Sequence, residues 1–497
     1  MAIPTYKEGS EPSFPASFDV TKRVTLNFTD IVNNNNKYYN LEVQVAKSGE
    51  ARIYTAYGRV GGTAAKEYRV CSGQSQAELE ADKIIKSKTK KGYAEVKLVK
   101  ADVGSEIGKS KIEANTLTIE AAKKAGVKVE EEDNSKLHPE VRDLVRTWFG
   151  VTQEFIELNL DTKKCPLGQL SLDQITKGKD ILEEARKIVH NNKPDVIELN
   201  KLTNLYYSNI PHNFGYGRIN ADVLRLDDDQ KIDKAFDILD VFGDAKAVQG
   251  VISKRSNVDS QYSTLNSNIK YLDPADPTWK WLDKMVHETR AGNHQSLGKL
   301  KTHKIYKLSR NGEDKNFLAN AEKIAKQCGK HQPSETYAKL VKERPDVPKE
   351  LQELYKRANV CPGWHGTRRA NMIGITTKGL LIRPSGVVHA GSMYGDAIYF
   401  ATNSTKSMNY CDVRGSYWAA GTNKTAYLFL ADVAYGNYKM ATGAQFYTKK
   451  NISPAHSVFA RAGLSGVMND EIMVYNATGS EQQHILRYII EFETQAK

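Results

Sequence analysis

The spacing of apolar residues changes along this chain, and each change calls for a different kind of architecture. Val141, Leu144, Val145 and Trp148 stand at i, i+3, i+4 and i+7, and Ile232, Ala235, Phe236 and Leu239 repeat the interval. That is the buried stripe of an amphipathic helix. Ser171-Leu172-Asp173-Gln174 has the form of a capping box, opening a helix that carries Ile181, Ala185, Ile188 and Val189. From about Val258 the pattern turns to short apolar runs, among them 427–433 and 485–492. Such runs suit a largely antiparallel sheet.

The first hundred residues read differently again. Segments 38–45 and 51–57 alternate in the manner of strands, and Gly58, Gly61 and Gly62 punctuate the turn that follows. Gln76 to Lys88 suits a helix with Leu79, Ile84 and Ile85 among its buried positions. Residues 101–135 lack a sustained apolar face and end in the acidic cluster Glu130, Glu131, Glu132 and Asp133, as a linker does. The expected architecture is multidomain α+β. It comprises a small α+β domain over 1–100, a linker over 101–135, an all-α domain over 136–257 and a mainly antiparallel β domain over 258–497. Within the last, the lysine-rich helical stretch 317–354 looks like an insertion.

Composition bounds the partners. At 40% hydrophobic and 26% charged, the 497 residues are ordinary for a soluble protein. No window reaches the ~18 uninterrupted apolar residues of a membrane span, and the N-terminal residues lack the apolar core of a signal peptide. A soluble, intracellular protein with no membrane partner is expected. The five cysteines are scattered with no Cys-x-x-Cys, so neither a disulfide framework nor a zinc site is supported. Cys361, four residues before His365, reads as a buried thiol rather than one half of a thiol–imidazole pair. The formal charge of +12 is uneven: seven lysines against the single acid Glu95 fall between Lys83 and Lys100. Such a stripe is the footprint that phosphate backbones attract.

Four blocks near the C-terminus carry the chemistry. They are Pro362-Gly363-Trp364-His365-Gly366-Thr367-Arg368, then Gly395-Asp396-Ala397-Ile398-Tyr399-Phe400-Ala401, then Lys406-Ser407-Met408-Asn409-Tyr410-Cys411, and finally Asp470-Glu471-Ile472-Met473-Val474-Tyr475. In this order and spacing they resemble the catalytic region of the poly(ADP-ribose) polymerases. Segments 166–171 and 209–215 resemble markers of the helical regulatory domain that precedes it in that family. Tyr57-Gly58-Arg59-Val60-Gly61 resembles the motif of the WGR domain, with tyrosine in place of tryptophan. His212 reads as a capping or core histidine.

The resemblance implies an enzyme that splits NAD+ and passes ADP-ribose to acceptor proteins, itself included, as poly(ADP-ribose), stimulated by DNA strand breaks. NAD+ would be a substrate, with no metal. A mono-ADP-ribosyltransferase of the same fold and a non-catalytic DNA-end-binding protein are the alternatives. The implied compartment is the nucleus in a eukaryote, or the cytoplasm in a bacterium. The implied catalytic set is His365, Tyr399 and Glu471. NAD+ would lie against His365, Gly366, Thr367, Asn371, Arg383, Tyr399, Ser407 and Tyr410. Met393, Lys406 and Glu471 would face the acceptor. Tyr57, Arg59, Lys86, Lys88, Lys90 and Lys91 would meet DNA. Leu381 stands where the family places a basic residue for adenine, with Arg383 two residues later.

These residue types suit the reaction. Nicotinamide leaves a cationic N-glycoside as a neutral molecule, through an oxocarbenium-like transition state. It needs no general acid. It needs a slot, which Gly366, Ser407 and two tyrosine rings provide, and an anion beside the developing cation, which Glu471 provides. There is no Gly-x-Gly-x-x-Gly fingerprint, so hydride transfer from a nicotinamide cofactor is disfavoured.

Overall fold

A computed structural model describes residues 3–60, 62–96, 135–160, 170–191, 193–212, 214, 218–248, 257–328, 344–382 and 392–495. They sort into two compact units: Met1–Glu132 with Gln153–Arg255, and Asp133–Thr152 with Ser256–Lys497. The N-terminal region is mixed α+β, the centre helical and the C-terminal region rich in strands. Among the described residues no helix is long and apolar enough to cross a membrane.

The first unit is built on a six-stranded antiparallel sheet. Its strands are β1 (Thr5–Lys7), β2 (Phe18–Asp30), β3 (Asn35–Ala46), β4 (Ala51–Arg59), β5 (Ala65–Cys71) and β6 (Ala94–Val96). Their order is β1-β5-β4-β3-β2-β6. Helix α1 (Gln74–Lys90) packs on the core of Leu26, Leu41, Val43 and Ile53 through Ala77 and Ala81, with Ile84 and Ile85 half-buried beside them. Leu79, expected among the buried positions, is 60% exposed. The contacting face runs 77, 81, 84 and 85, and residue 79 stands about 200° round the helix from 77.

Four helices also contribute to this unit, and the stripes of two of them, those over 172–189 and 229–247, are the ones read from the sequence. Helix α2 (Pro139–Asn159) supplies only its last turns, through Ile156. Helix α3 (Leu172–Val189) starts at the expected capping box. Ser171 Oγ takes the Gln174 N–H, and the Gln174 side chain takes the Ser171 N–H. Helices α4 (Val196–Asn209) and α5 (Asp229–Ala247) close on α3 around Ile181, Ala185, Tyr206, Ile232, Phe236 and Leu239. The C-terminal end of α4 is tied to β2, where Asn27 Nδ2 donates to the carbonyls of Tyr207 and Ser208. Asn36 donates to the His212 carbonyl. His212 itself is buried, with Nδ1 on the Ile210 carbonyl at 2.7 Å, so it is a core histidine. Residues 161–169, which carry most of the first helical marker, lie outside the described residues, as do Asn213 and Gly215 of the second.

The second unit holds a nine-stranded sheet. Its strands are β7 (Ser267–Tyr271), β8 (Leu300–Arg310), β9 (Val360–Gly366), β10 (Ile398–Ala401), β11 (Thr425–Ala434), β12 (Tyr438–Met440), β13 (Ser457–Ala460), β14 (Glu471–Val474) and β15 (His484–Thr494). The order is β12-β13-β14-β10-β9-β11-β15-β8-β7, with every pair antiparallel except β12 and β13. The first turns of α2 belong here. The Trp148 ring meets Tyr427 edge-on at 5.8 Å, and Tyr306 Oη reaches the Glu140 carbonyl. The stripe of Val141, Leu144, Val145 and Trp148 is buried as its spacing predicts.

The ends of the inserted stretch lie in helices α6 (Glu313–Gln327) and α7 (Lys349–Arg357), while 329–343 lie outside the described residues. A buried ionic network fastens it to the sheet. Arg344 bridges Asp346 and Asp432, Arg487 bridges Asp432 and Asp314, and Tyr355 and Tyr488 donate to Asp432 and Asp346. Arg344, Asp346 and Asp432 are almost wholly out of solvent, whereas Asp314 at the margin is half exposed, and an unpaired charge in the buried part would be costly.

Candidate functional site

The strand order places β14, β10 and β9 side by side, so residues more than a hundred apart in sequence become neighbours. His365 and Gly366 end β9, Tyr399 lies on β10, and Glu471 opens β14 opposite Ala401 and Ala460. His365 Nδ1 lies 3.1 Å from the Tyr399 carbonyl. A carbonyl only accepts, so Nδ1 carries the proton. Burial pulls the His365 pKa below its ordinary value, which keeps the ring neutral near pH 7. A neutral ring protonated at Nδ1 presents Nε2 as an acceptor, suited to a sugar hydroxyl. Behind it His484 is held down at about 3, first by burial and then by the neighbouring His365 and Arg310.

Gly366 is required by close approach. A Cβ there would run into the Ser407 carbonyl. Ser407 lies on the short helix α8 (Ser404–Met408), and its Oγ donates to the Trp364 carbonyl at 2.9 Å. Trp364 Nε1 in turn donates to Thr289 Oγ1 at 3.1 Å. Helix and strand are thus locked one against the other, and Gly366, paired with Leu428 of β11, has no side chain to cover its backbone. Just beyond, Asn371 Nδ2 donates to Thr367 Oγ1 at 3.0 Å, fixing the two polar side chains as a pair.

Tyr399 holds the approach to the site. Its hydroxyl donates to the Gly395 carbonyl at 2.8 Å and accepts from the Tyr394 N–H at 2.9 Å. Burial raises its pKa, so the phenol stays protonated. Gly395 adopts φ 88° against the Tyr447 backbone, a conformation and a clearance that only glycine meets. Met393 packs half-buried beside the core of Tyr394 and Tyr447, and its carbonyl accepts from the Gln445 N–H.

The carboxylate is not alone. Glu471 Oε1 lies 2.7 Å from Lys406 Nζ, with both side chains largely out of solvent. Burial opposes the Lys406 charge, but Glu471 and Tyr410 outweigh it and raise the ammonium above its ordinary value. Lys406 Nζ stands 5.7 Å from the centre of the Tyr410 ring, whose neighbour Trp418 lies nearly parallel at 6.3 Å. The arrangement can hold a planar leaving group near Gly366 and place one negative charge beside it. Arg383 lies outside the described residues, and Leu381 is exposed.

The N-terminal candidates form a second group. The Tyr57 ring stacks on Tyr39 at 5.4 Å, and its hydroxyl donates to Glu67 at 2.8 Å. Lys88 Nζ sits 4.0 Å from the centre of the Tyr39 ring and 5.7 Å from that of Tyr57. Lys86, Lys90 and Lys91 are exposed along the end of α1. Arg59 grips the turn at Asn34, donating to its carbonyl at 2.8 Å and its Oδ1 at 3.1 Å. The same Oδ1 accepts the Ile219 N–H.

Sequence reasoning missed the residues that brace Lys406 and Glu471. His294 Nδ1 lies 3.0 Å from Thr405 Oγ1, and its Nε2 lies 3.3 Å from Asn469 Nδ2. Burial, then the charges of Lys406 and Arg290, lower its pKa. No local motif announces a histidine that lies more than a hundred residues from both partners. Cys361 is a buried thiol whose pKa burial raises, and His365 spends its Nδ1 on Tyr399 rather than on sulfur. Among the described residues no group of three or more His, Cys, Asp or Glu could hold a metal ion.

Three family models match in succession: the WGR domain over 22–100, the poly(ADP-ribose) polymerase regulatory domain over 135–270 and the poly(ADP-ribose) polymerase catalytic domain over 278–484. The chain is 25% identical to a poly [ADP-ribose] polymerase of Drosophila melanogaster, over 88% of this chain and 40% of that protein. It is 23% identical to poly [ADP-ribose] polymerase 2-A of Oryza sativa subsp. japonica, over 85% of this chain and 58% of that one. It is 27% identical to the human protein mono-ADP-ribosyltransferase PARP3, over 88% of this chain and 77% of that one. The first two relatives are thus matched over less than two thirds of their own length.

Proposed function

Because the chain belongs to the poly(ADP-ribose) polymerase family, we propose that it cleaves NAD+ at the nicotinamide–ribose bond and transfers ADP-ribose to proteins, itself included. Poly(ADP-ribose) is the product, and DNA strand breaks stimulate the reaction. The observation that carries this reading is the convergence of His365, Tyr399 and Glu471 on three adjacent strands, with Glu471 poised on Lys406.

In this reading nicotinamide enters beside the backbone of Gly366, which no side chain covers, and rests on the rings of Tyr399 and Tyr410. His365 Nε2 accepts a hydroxyl of the adenosine ribose, and Thr367 and Asn371 flank it. As the glycosidic bond lengthens, positive charge grows on the ribose, and the Glu471 carboxylate stabilises it. Glu471 also takes the hydroxyl proton of the acceptor, while Lys406 fixes the carboxylate's position. Breaks in DNA engage Arg59, Tyr57 and the lysines of α1. Because Arg59 shares the Asn34 side chain with the Ile219 N–H, engagement there reaches the helical region.

Transfer of a single unit is the second reading. The pairing of Glu471 with Lys406 favours it, since the ammonium at 2.7 Å already occupies Oε1 and leaves the carboxylate less free to receive the next hydroxyl. Incubation with labelled NAD+, with and without nicked DNA, separates the readings by product size. A ladder that lengthens with DNA supports the polymerase, a discrete one-unit product supports mono-transfer, and no protein-bound label refutes both.

A further inference from the structure

A cavity of about 420 Å³ opens at the edge strand β7, on the β8 side of the second unit's sheet and away from β9, β10 and β14 in strand order. Three lysines, Lys136, Lys270 and Lys307, line it with His138 and Tyr271, and no carboxylate belongs to its wall. None of the three lysines has an ion-pair partner among the described residues. Three carboxylates stand near its margin: Glu140 pairs with Lys304, Asp259 accepts from the Ser135 hydroxyl, and Asp273, within electrostatic reach of Tyr271, accepts the Ala275 N–H.

Two of those lysines face each other. Lys270 and Lys307 are direct cross-strand partners in the β7–β8 ladder. Like charges at that position repel and weaken the pair, and neither lysine has an ion-pair partner among the described residues to offset this. Beside them Asn268 and Ser309 form the next pair on the same face, adding uncharged polar groups. Side chains at 269 and 271 point to the other face of the strand, so the cavity lies along the outer edge of β7, where Tyr262 Oη accepts the Ile269 N–H, and reaches the ring of Tyr271. His138 is stacked on that ring at 5.1 Å with 20° between the planes. Its Nδ1 accepts the Glu140 N–H, so its Nε2 carries a proton available for donation. His138 is exposed, which leaves a ring face open to continue the stack.

We propose that this cavity is a nucleoside phosphate site, with the phosphates between Lys270, Lys307 and Lys136 and the base laid on His138 and Tyr271. The volume matches a ligand of that class, since small-molecule sites run about 300–1,000 Å³. Charge-assisted hydrogen bonds to phosphate are strong, and the repulsion between Lys270 and Lys307 is relieved only when an anion lies between them. The site stands at the first turn of α2, whose stripe packs on the catalytic sheet, so a bound nucleotide would fasten that helix to β7 and β8.

The test is calorimetric titration of ADP into the full chain, into the Lys270→Gln/Lys307→Gln variant and into His365→Ala. The last removes a group from the NAD+ cleft, the other place where ADP can bind. The double substitution is expected to weaken one ADP-binding event at least about tenfold, the scale of one charge-assisted contact. His365→Ala should leave that event intact. Adenosine and inorganic pyrophosphate should each bind there more weakly than ADP. Lys270→Arg/Lys307→Arg should retain binding, and the ligand-free glutamine variant should melt no lower than the parent, which shows that it is folded. ADP binding that ignores the two lysines, or is absent from the parent, overturns the site. Pyrophosphate binding as tightly as ADP overturns the role of the two rings.

Discussion

Lys406 Nζ and Glu471 Oε1 are 2.7 Å apart, in a place where neither side chain keeps much contact with solvent. Removing one partner therefore does two things. Glu471→Gln deletes the charge proposed to stabilise the ribosyl cation, and it strands a buried ammonium, at a cost on the order of 3 kcal/mol in stability. The double variant Lys406→Met/Glu471→Gln should regain much of that stability without regaining transfer. Denaturant midpoints and labelled-product yield read the two effects separately.

Gly366→Ala should abolish NAD+ turnover while Gly292→Ala, at a glycine with open space around it, leaves it unchanged. The added methyl at 366 collides with the Ser407 carbonyl and forces α8 away from β9. Lys406 and Ser407 move with that helix. Nicotinamide release by each variant checks the prediction.

His212 should give the first unit an acid-sensitive fold. Burial holds its pKa at about 4 against an ordinary 6.5, so the folded protein keeps the ring neutral while the unfolded chain takes up a proton first. The sign follows from linkage. This contribution is intact above pH 6.5 and is lost as pH falls towards 4, by on the order of 3 kcal/mol. His212→Phe, which keeps a ring among Tyr206, Tyr207 and Phe214, should flatten the fall in urea midpoint between pH 7 and 4.5. An unchanged slope would place the acid sensitivity elsewhere.

Arg59→Ala should weaken binding to DNA ends and leave turnover without DNA as it was. Its loss frees the Asn34 turn, so the DNA-dependent increment in activity should fall more steeply than the affinity does. Binding should weaken with salt in proportion to the phosphates contacted. Fluorescence anisotropy with a nicked hairpin at two salt concentrations, paired with activity at saturating DNA, separates affinity from coupling.

The elements most legible in the sequence are those set by local periodicity. The stripes of α2, α3 and α5 and the capping box at Ser171 follow from spacing alone, because a helix brings i, i+3 and i+4 together whatever lies opposite. The blocks around His365, Tyr399 and Glu471 were legible as an ordered set. What spacing does not carry is long-range pairing. The bracing of Asn469 by His294 and the ionic tie of Arg344, Asp432 and Arg487 join positions from different strands and helices. Leu79 shows the related limit: its helix meets the sheet on alanines, and a small residue at a close contact gives no apolar signal. Nor does the periodicity of α2 reveal that its first turns belong with the second unit and its last turns with the first.

The most direct test of the account follows nicotinamide itself. The full chain, given NAD+ and nicked DNA, should release nicotinamide in step with the appearance of protein-bound ADP-ribose, and His365→Ala and Glu471→Gln should each lower the rate by ~10²–10³-fold, as losing a preorganised electrostatic contact does. Release that is undetectable in the parent, or that proceeds equally in both variants, would contradict a transferase site built from His365, Tyr399 and Glu471.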